Sequence, residues 1–332
     1  MNTAGSRRGR RGLVGFVLVL ACLLTACSAN STDPDRLHVY ATTGYLADVV
    51  RTLDPDAEVT TMVGPGGDPH TYQPSTRDIQ RIEDADAVIW NGLHLEAQMG
   101  DLLSSLGDRQ VAVGSRIPEE LLRPLPSSSA GGTTLHDPHI WNDPALWERV
   151  VGIVADHLST IAPERADAYH ARADAYIAQI DAVDRSVRRQ FDSIPADTRV
   201  LVTGHDAFGY LAAAYDFEVH ATDFISTSAA ISPAQLSSLA SLIADRRLPA
   251  IFADNQANPQ AVTSLREAVQ ARGWDVRLAP EELYADSLGA DPGVDTYLGV
   301  LEHNARAITA ALGGTLETSP DAGEPIAQDG PR

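Results

Sequence analysis

The chain has 332 residues, of which 25 are basic and 45 acidic, and its formal net charge at pH 7 is −20. Nucleic acids are bound largely by lysine and arginine side chains that neutralise phosphates, so this acidic balance excludes nucleic acid as a partner. The two cysteines, Cys22 and Cys27, are too few for a disulfide framework or a cysteine-rich metal site.

The N-terminus has the layout of a secretory signal peptide. Four arginines within the first eleven residues precede an apolar run, Leu13–Leu24, that is too short to cross a bilayer as a mature helix. The run leads into Leu24-Thr25-Ala26-Cys27, which resembles the bacterial lipobox and implies cleavage before Cys27 and attachment of lipid to that residue. We therefore expect a signal peptide over residues 1–26, a lipid anchor at Cys27 and a flexible tether over residues 27–36. This places the mature protein outside the cytoplasm, at the cell membrane.

Beyond the tether, short apolar runs alternate with helical patterns in two series. The runs of the first series are Leu37–Thr43, Glu58–Val63, Ala87–Asn91 and Gln110–Gly114, and those of the second are Val200–Thr203, Glu218–Ala221, Ala250–Ala253 and Val276–Leu278. Strands that alternate with helices form parallel sheets covered on both faces. The sequence therefore predicts an α/β fold with two lobes, residues 37–162 and 196–312, each a mostly parallel sheet flanked by helices. The last stretch, residues 313–332, is rich in glycine, proline and acidic residues and is predicted to be a disordered tail.

One long, rigid linker helix is predicted between the lobes, over residues 163–195. It begins at Pro163 and ends at Ile194, with a further proline just beyond. A single apolar stripe runs along it, formed by Tyr169, Ala173, Tyr176, Ile180, Val183, Val187 and Phe191. A helix of about 30 residues is about 45 Å long and can brace both lobes against hinge opening. A coiled-coil dimer is the alternative, but the stripe is short and contains the small Ala173.

The tripeptide Asp-Pro-His occurs twice, at Asp68–His70 and Asp137–His139, and a His-Asp pair follows at His205-Asp206. These histidines, like Asp286 after the last strand, lie beyond the carboxyl ends of predicted strands, where open α/β sheets bind their ligands. Imidazole is the commonest neutral metal ligand in proteins. Because each lobe supplies two of the four side chains, the sequence predicts one metal site in the cleft between the lobes.

Four segments carry a resemblance to a known family: Gly67–Pro74, Asp137–Trp141, Val202–Tyr210 and Ala285–Ser287. Over nearly the whole mature length, the chain resembles the zinc- and manganese-type (cluster A-I) solute-binding lipoproteins of metal ABC transporters. The resemblance implies that the metal ligands are His70, His139, His205 and Asp286. It also implies two lobes joined by one long helix.

The residue at the position of His205 indicates which metal to expect. Family members that resemble manganese binders tend to have glutamate at this position. Three imidazoles and one carboxylate suit tetrahedral Zn²⁺, whereas Mn²⁺ prefers a more oxygen-rich shell. We therefore predict Zn²⁺, with Mn²⁺ as the alternative. The chain lacks the histidine-rich loop of many zinc-binding relatives, since residues 122–135 contain no histidine. It also has an additional His94, which we interpret as a surface residue.

Three aspartates flank the predicted ligand histidines, namely Asp68, Asp137 and Asp206. Any of them could accept the second ring N–H of a ligand histidine and so fix its tautomer. The alternative is local turn formation or helix capping. For Asp206, the sequence favours capping of a helix that opens at Ala207.

The resemblance implies a binding protein, not an enzyme. We expect it to capture extracytoplasmic zinc, as a monomer, and to deliver it to an ABC permease with a cytoplasmic ATPase. A zinc hydrolase is the alternative from another class, but it needs an open coordination position, which Asp286 as a fourth ligand would close. A lipoprotein adhesin is a third possibility, since adhesion leaves no sequence motif.

Overall fold

The computed structural model describes residues 36–125, 135–223, 231–256 and 259–316. The signal peptide, Cys27, the tether apart from Arg36, and the tail beyond residue 316 lie outside the described residues. The chain from Leu37 onward forms one compact unit. Within the described ranges, every helix is too short or too polar to cross a membrane.

The first half is built on a four-stranded parallel sheet with the strand order β2-β1-β3-β4. The strands are β1 (His38–Ala41), β2 (Glu58–Thr61), β3 (Ala87–Trp90) and β4 (Gln110–Ala112). The helices of this half are α1 (Gly44–Leu53), α2 (Thr76–Asp84), α3 (Gly100–Ser104) and α4 (Pro144–Ile161). Every residue of β3 is buried, as expected for a strand covered on both faces. Polar side chains start the helices: the hydroxyl of Thr43 accepts a hydrogen bond from Leu46 N, and Ser75 and Asp78 form a capping box.

The second half repeats this arrangement. Its strands are β5 (Val200–Thr203), β6 (Glu218–Ala221), β7 (Ala250–Ile251) and β8 (Arg277–Leu278), and its helices are α6 (Gly209–Tyr215), α7 (Pro233–Arg246), α8 (Pro259–Gln270) and α9 (Tyr297–Leu312). The strands form two parallel pairs, β5 with β6 and β7 with β8. A backbone hydrogen bond from Phe252 N to Val202 O joins the pairs. The resulting order, β6-β5-β7-β8, matches that of the first half, and the predicted α/β fold with parallel sheets is confirmed.

The linker helix α5 (Ala166–Asp192) follows a 3-10 turn at Pro163–Arg165, so the regular helix begins three residues later than predicted. Its 27 residues make it about 40 Å long. The predicted apolar stripe is buried, with Val183 at its edge, and packs against α1, α4 and α9 of the same chain. The helix therefore contacts both halves.

Asp48 on α1 joins three helices through one carboxylate oxygen. Its Oδ2 accepts hydrogen bonds from Tyr176 Oη of the linker helix, at 2.7 Å, and from Tyr297 N at the start of α9, at 3.1 Å. Both donors are buried, as is most of Asp48. The carboxylate thus ties the first half, the linker helix and the C-terminal helix together. Burial raises the pKa of Asp48 above its ordinary value of 3.8, although the two donors act in the opposite direction.

This raised pKa predicts that the stability of an Asp48→Asn variant depends on pH differently from that of the unchanged protein. The native state holds a proton on Asp48 more tightly than the unfolded state does, so its contribution to stability is present at low pH and is lost as pH rises through the native pKa. The Asp48→Asn variant has no ionisable group at this position, so its stability does not decrease in this way as pH rises. The stability of the variant relative to the unchanged protein should therefore increase with pH above 3.8, by about 1.4 kcal/mol per unit of pKa difference. Urea unfolding of both metal-free proteins over a pH series measures this, and parallel curves would contradict it.

Candidate metal site

Four side chains from four separate loops meet between the two sheets. His70 lies in the turn that follows β2, and His139 immediately precedes a 3-10 turn that leads into α4. His205 follows β5, and Asp286 lies in the loop between β8 and α9. Each loop begins at or beyond the carboxyl end of a strand. The sheets therefore bring to one point the four residues that the sequence predicts as ligands.

The donor atoms of this cluster are closely spaced. The Nε2 atom of His139 lies 3.1 Å from Nε2 of His70 and 3.1 Å from Nε2 of His205. The carboxylate oxygens of Asp286 lie 3.4 Å from Nε2 of His70, 3.3 Å from that of His139 and 3.2 Å from that of His205. One donor atom from each residue falls within 4.8 Å of all the others. Such a group can surround one small cation.

The carboxylate of Asp286 is buried and faces the three imidazole nitrogens without a hydrogen bond of normal geometry. Its side chain is 0% exposed. Within the described part of the chain, neither of its oxygens has a hydrogen-bond partner. An unsatisfied buried charge is costly, and a cation bound among the three imidazoles would remove that cost.

The cluster is electrostatically coupled. Burial alone would raise the pKa of Asp286, but His205 and His139 together hold it well below its usual range. Burial alone would lower the pKa of His139, but Asp137 and Asp286 outweigh it and raise the pKa to about 10. The pKa of His205 is also raised, because Asp286 outweighs its burial, whereas burial lowers that of His70. Asp286 thus favours the protonated forms of His139 and His205, and a metal that binds these nitrogens must displace protons from them.

Asp137 fixes the ring of His139. Its Oδ1 lies 2.7 Å from Nδ1 of His139, which donates to it, and this leaves Nε2 free to face the cluster. The same oxygen accepts a hydrogen bond from the backbone N–H of His139, and the carbonyl of Asp137 accepts one from Tyr210 Oη. Asp137 thus has the arrangement expected of a carboxylate that orients a metal-binding histidine.

The other two flanking aspartates have different roles. Asp68 accepts hydrogen bonds from His70 N and Thr71 Oγ1, so it shapes the local turn. Asp206 does not cap a helix, and that interpretation is wrong, because α6 begins at Gly209 with Phe208 in the capping position. The carbonyl of Ala207, which precedes the helix, accepts a hydrogen bond from Asn142 Nδ2.

A turn after β3 is hydrogen-bonded to the segment that carries His139. Asn91 Nδ2 donates to the carbonyl of Pro138 at 3.0 Å, and the buried carboxylate of Glu96 accepts the N–H groups of Asn91 and Gly92. The three residues from Gly92 to His94 all have positive φ angles, of 76°, 53° and 65°. Glu96 holds this strained turn in place. His94 itself is exposed, as the sequence predicts.

Sequence reasoning missed several residues that position the ligands. Asp254 Oδ2 accepts the backbone N–H groups of Gly204 and His205, at 3.1 and 2.9 Å. The carbonyl of Ala285, next to Asp286, accepts hydrogen bonds from Tyr45 Oη at 3.2 Å and Trp141 Nε1 at 2.7 Å. Asp254 could have been found, because it is the first polar residue after the buried strand β7. Tyr45 gives no such signal, since 240 residues separate it from its partner.

Substituting Asp137 tests the orienting contact. We expect Asp137→Asn to weaken metal binding by about 10- to 100-fold, because His139 would lose the acceptor that fixes its tautomer. The matched control is Asp206→Asn, which removes a nearby negative charge. The metal dissociation constants of the unchanged protein and both variants, measured against a competing chelator, test this. An equal loss of metal affinity in the two variants would show that the negative charge of Asp137, and not its hydrogen bond to His139, strengthens metal binding.

The chain is similar to known proteins over most of its length. The family model described as zinc-uptake complex component A, periplasmic, matches residues 39–311. The zinc-binding protein TroA of Treponema pallidum is 40% identical over 278 residues, which cover 82% of this chain and 88% of TroA. The manganese-binding lipoprotein MntA of Bacillus subtilis is 33% identical over 310 residues, which cover 91% of this chain and 99% of MntA.

Two solved structures also superpose on most of this chain. That of the periplasmic zinc-binding protein TroA from Treponema pallidum superposes with a TM-score of 0.79 at 40% sequence identity, and the match covers 83% of this chain and 99% of TroA. The structure of Fe(III)-bound YtgA from Chlamydia trachomatis superposes with a TM-score of 0.76 at 26% identity, over 85% of this chain and 100% of YtgA. The similar proteins thus bind different metals within one fold.

Proposed function

Because the chain belongs to the family of periplasmic zinc-uptake components, we propose that it captures Zn²⁺ outside the cytoplasm and delivers it to an ABC permease driven by a cytoplasmic ATPase. The observation that carries this proposal is the convergence of three imidazole nitrogens on the buried carboxylate of Asp286. In this proposal, His70, His139, His205 and Asp286 bind the metal, which is the cargo of the protein.

The spacing of the donor atoms supports a small cation with four protein ligands. Four donors at 2.0–2.1 Å from a tetrahedral zinc ion lie about 3.3 Å apart. Five separations in the cluster, two between imidazole nitrogens and three from an imidazole nitrogen to one or the other oxygen of Asp286, range from 3.1 to 3.4 Å. These separations are close to the spacing that tetrahedral zinc needs.

The type of donor favours zinc over manganese. Three of the four ligands are imidazoles, which suit Zn²⁺, whereas Mn²⁺ prefers carboxylate, carbonyl and water oxygens. Manganese remains the second candidate because a manganese-binding lipoprotein is 33% identical to this chain. The residue at position 205 is where we expect the two specificities to diverge.

A binding role fits the site better than a hydrolytic one. A catalytic zinc keeps a coordination position open for water, whereas a structural zinc has all four positions filled by protein ligands. The oxygens of Asp286 face the same centre as the three Nε2 atoms and would fill the fourth position. The chain is thus proposed to bind and release its metal without chemical change.

Delivery to a permease requires the protein to stay near the membrane. We attribute this to lipid on Cys27, with the residues up to Arg36 as a tether to the compact unit. The linker helix contacts both halves, since Tyr169 Oη donates to Asp54 and Tyr215 Oη donates to Asp184. Wide hinge opening would break these contacts, so release would use a smaller local movement.

Zinc uptake by cells tests this function. In cells that lack the gene, the full chain should restore uptake of radioactive zinc and growth under zinc limitation, whereas Asp286→Asn should not. The control, Asp197→Asn, makes the same change at an exposed aspartate and should restore both. Equal rescue by Asp286→Asn would contradict the proposed function, as would uptake that does not depend on the chain.

A further inference from the structure

The four proposed ligands differ in their access to solvent. The side chain of His70 is 4% exposed, whereas those of His139, His205 and Asp286 are 0% exposed. His70 therefore lies at the side of the site that is closest to solvent. A metal ion that enters or leaves without unfolding the protein would pass this histidine.

Hydrogen bonds fix the backbone on either side of Asp286. The backbone of Ala285 donates to Asn255 Oδ1 at 2.9 Å, and its carbonyl accepts from Tyr45 and Trp141. The carbonyl of Ser287 accepts a hydrogen bond from Asn255 Nδ2 at 2.9 Å. Four hydrogen bonds thus fix the backbone on either side of Asp286, and opening this side would break them together.

On the His70 side, hydrogen bonds with two residues of the second half hold the turn that precedes this histidine. The turn that leads to His70, here called the Gly64–Gly67 turn, contributes two backbone groups to bonds with the second half of the chain. Gly66 N donates to Ser287 Oγ at 3.0 Å, and Gln256 Nε2 donates to the carbonyl of Gly67 at 2.8 Å. An added Cβ atom at Gly64 or Gly66 would meet nothing within 4 Å, so one face of the turn is open.

We infer that Gln256 and Ser287 form a latch that holds the Gly64–Gly67 turn closed and thereby sets the rate at which metal leaves past His70. The inference rests on the proposed metal-binding function. Neither residue is a ligand; each positions His70 through the turn that carries it. Breaking the two latch bonds frees His70 while Asp286, His139 and His205 keep their supporting hydrogen bonds.

Zinc release from the full-length protein into excess chelator, followed by stopped flow, tests the latch. Each of Gln256→Ala and Ser287→Ala should speed release by about fivefold, and the double variant by about 30-fold, because each substitution removes one of the two bonds that hold the turn. Ser287→Ala also removes the hydrogen bond from Asn255 Nδ2 to Ser287 Oγ, but the Ser287 carbonyl stays bonded to Asn255, so the backbone beside Asp286 keeps its hydrogen bonds. The matched control, Gln98→Ala, changes an exposed glutamine and should release zinc at the unchanged rate.

Two further readouts separate a latch from a general loss of structure. The Gly66 amide should exchange its hydrogen faster in Ser287→Ala, while the melting temperature of the metal-free protein stays close to that of the unchanged chain. Release at the unchanged rate in both single variants and the double variant, with normal zinc binding, would overturn the latch alone. Failure of the unchanged chain to bind zinc would overturn the proposed function and the latch with it.

Discussion

Replacing Asp286 with asparagine should lower the affinity for zinc by about two to four orders of magnitude. Removing one partner of a buried charge pair costs about 3–5 kcal/mol, and each 1.4 kcal/mol is a factor of ten. Asp286 supplies the only negative charge among the four proposed ligands. Competition between the variant and a chelator of known zinc affinity measures the change.

The control for this prediction is the stability of the metal-free variant. The shape of the side chain is nearly unchanged and the backbone on either side is held by Tyr45, Trp141 and Asn255, so Asp286→Asn should fold normally. A melting temperature near that of the metal-free unchanged protein, combined with lost zinc binding, would place the effect at the ligand. Zinc affinity within a factor of about three of the unchanged value would show that Asp286 is not a ligand.

The second large effect is expected at His205. A His205→Glu variant should shift the ratio of zinc to manganese affinity by about 100-fold toward manganese, because a carboxylate replaces an imidazole in the donor set. The backbone N–H of His205 is held by Asp254, so the main chain at this position should stay in place. Parallel titrations with the two metals measure the shift.

The matched control is His94→Glu, which makes the same substitution at an exposed histidine. It should leave both affinities unchanged. If His205→Glu also kept the original ratio of zinc to manganese affinity, the third ligand would not determine the choice of metal, and the explanation by donor type would be wrong.

Local patterns were enough to predict the framework of the fold. The predicted strands all contain strands of the structure, although β7 and β8 are reduced to two residues each. The apolar stripe predicted the linker helix because a period of 3.6 residues places those side chains on one face. The predicted ligands come together because the carboxyl ends of parallel strands lie at one edge of a sheet.

The residues that hold the ligands in place could not be predicted in the same way. Tyr45 and Trp141 meet the carbonyl of Ala285 across 240 and 144 residues of sequence, and such pairings depend on how the two halves pack. The prediction that Asp206 caps a helix is wrong for a related reason. Its local sequence favours a helix cap, but Ala207 and Phe208 are buried in the core, and the helix begins only after them.

Metal analysis by mass spectrometry shows which ion the four proposed ligands hold. The full-length protein would be stripped of metal, exposed to equal concentrations of Zn²⁺ and Mn²⁺, and analysed after removal of free ions. We expect one zinc ion per chain and little manganese, with zinc lost in the Asp286→Asn variant. Preferential binding of manganese, or no retained metal, would contradict the proposal that His70, His139, His205 and Asp286 form a zinc site.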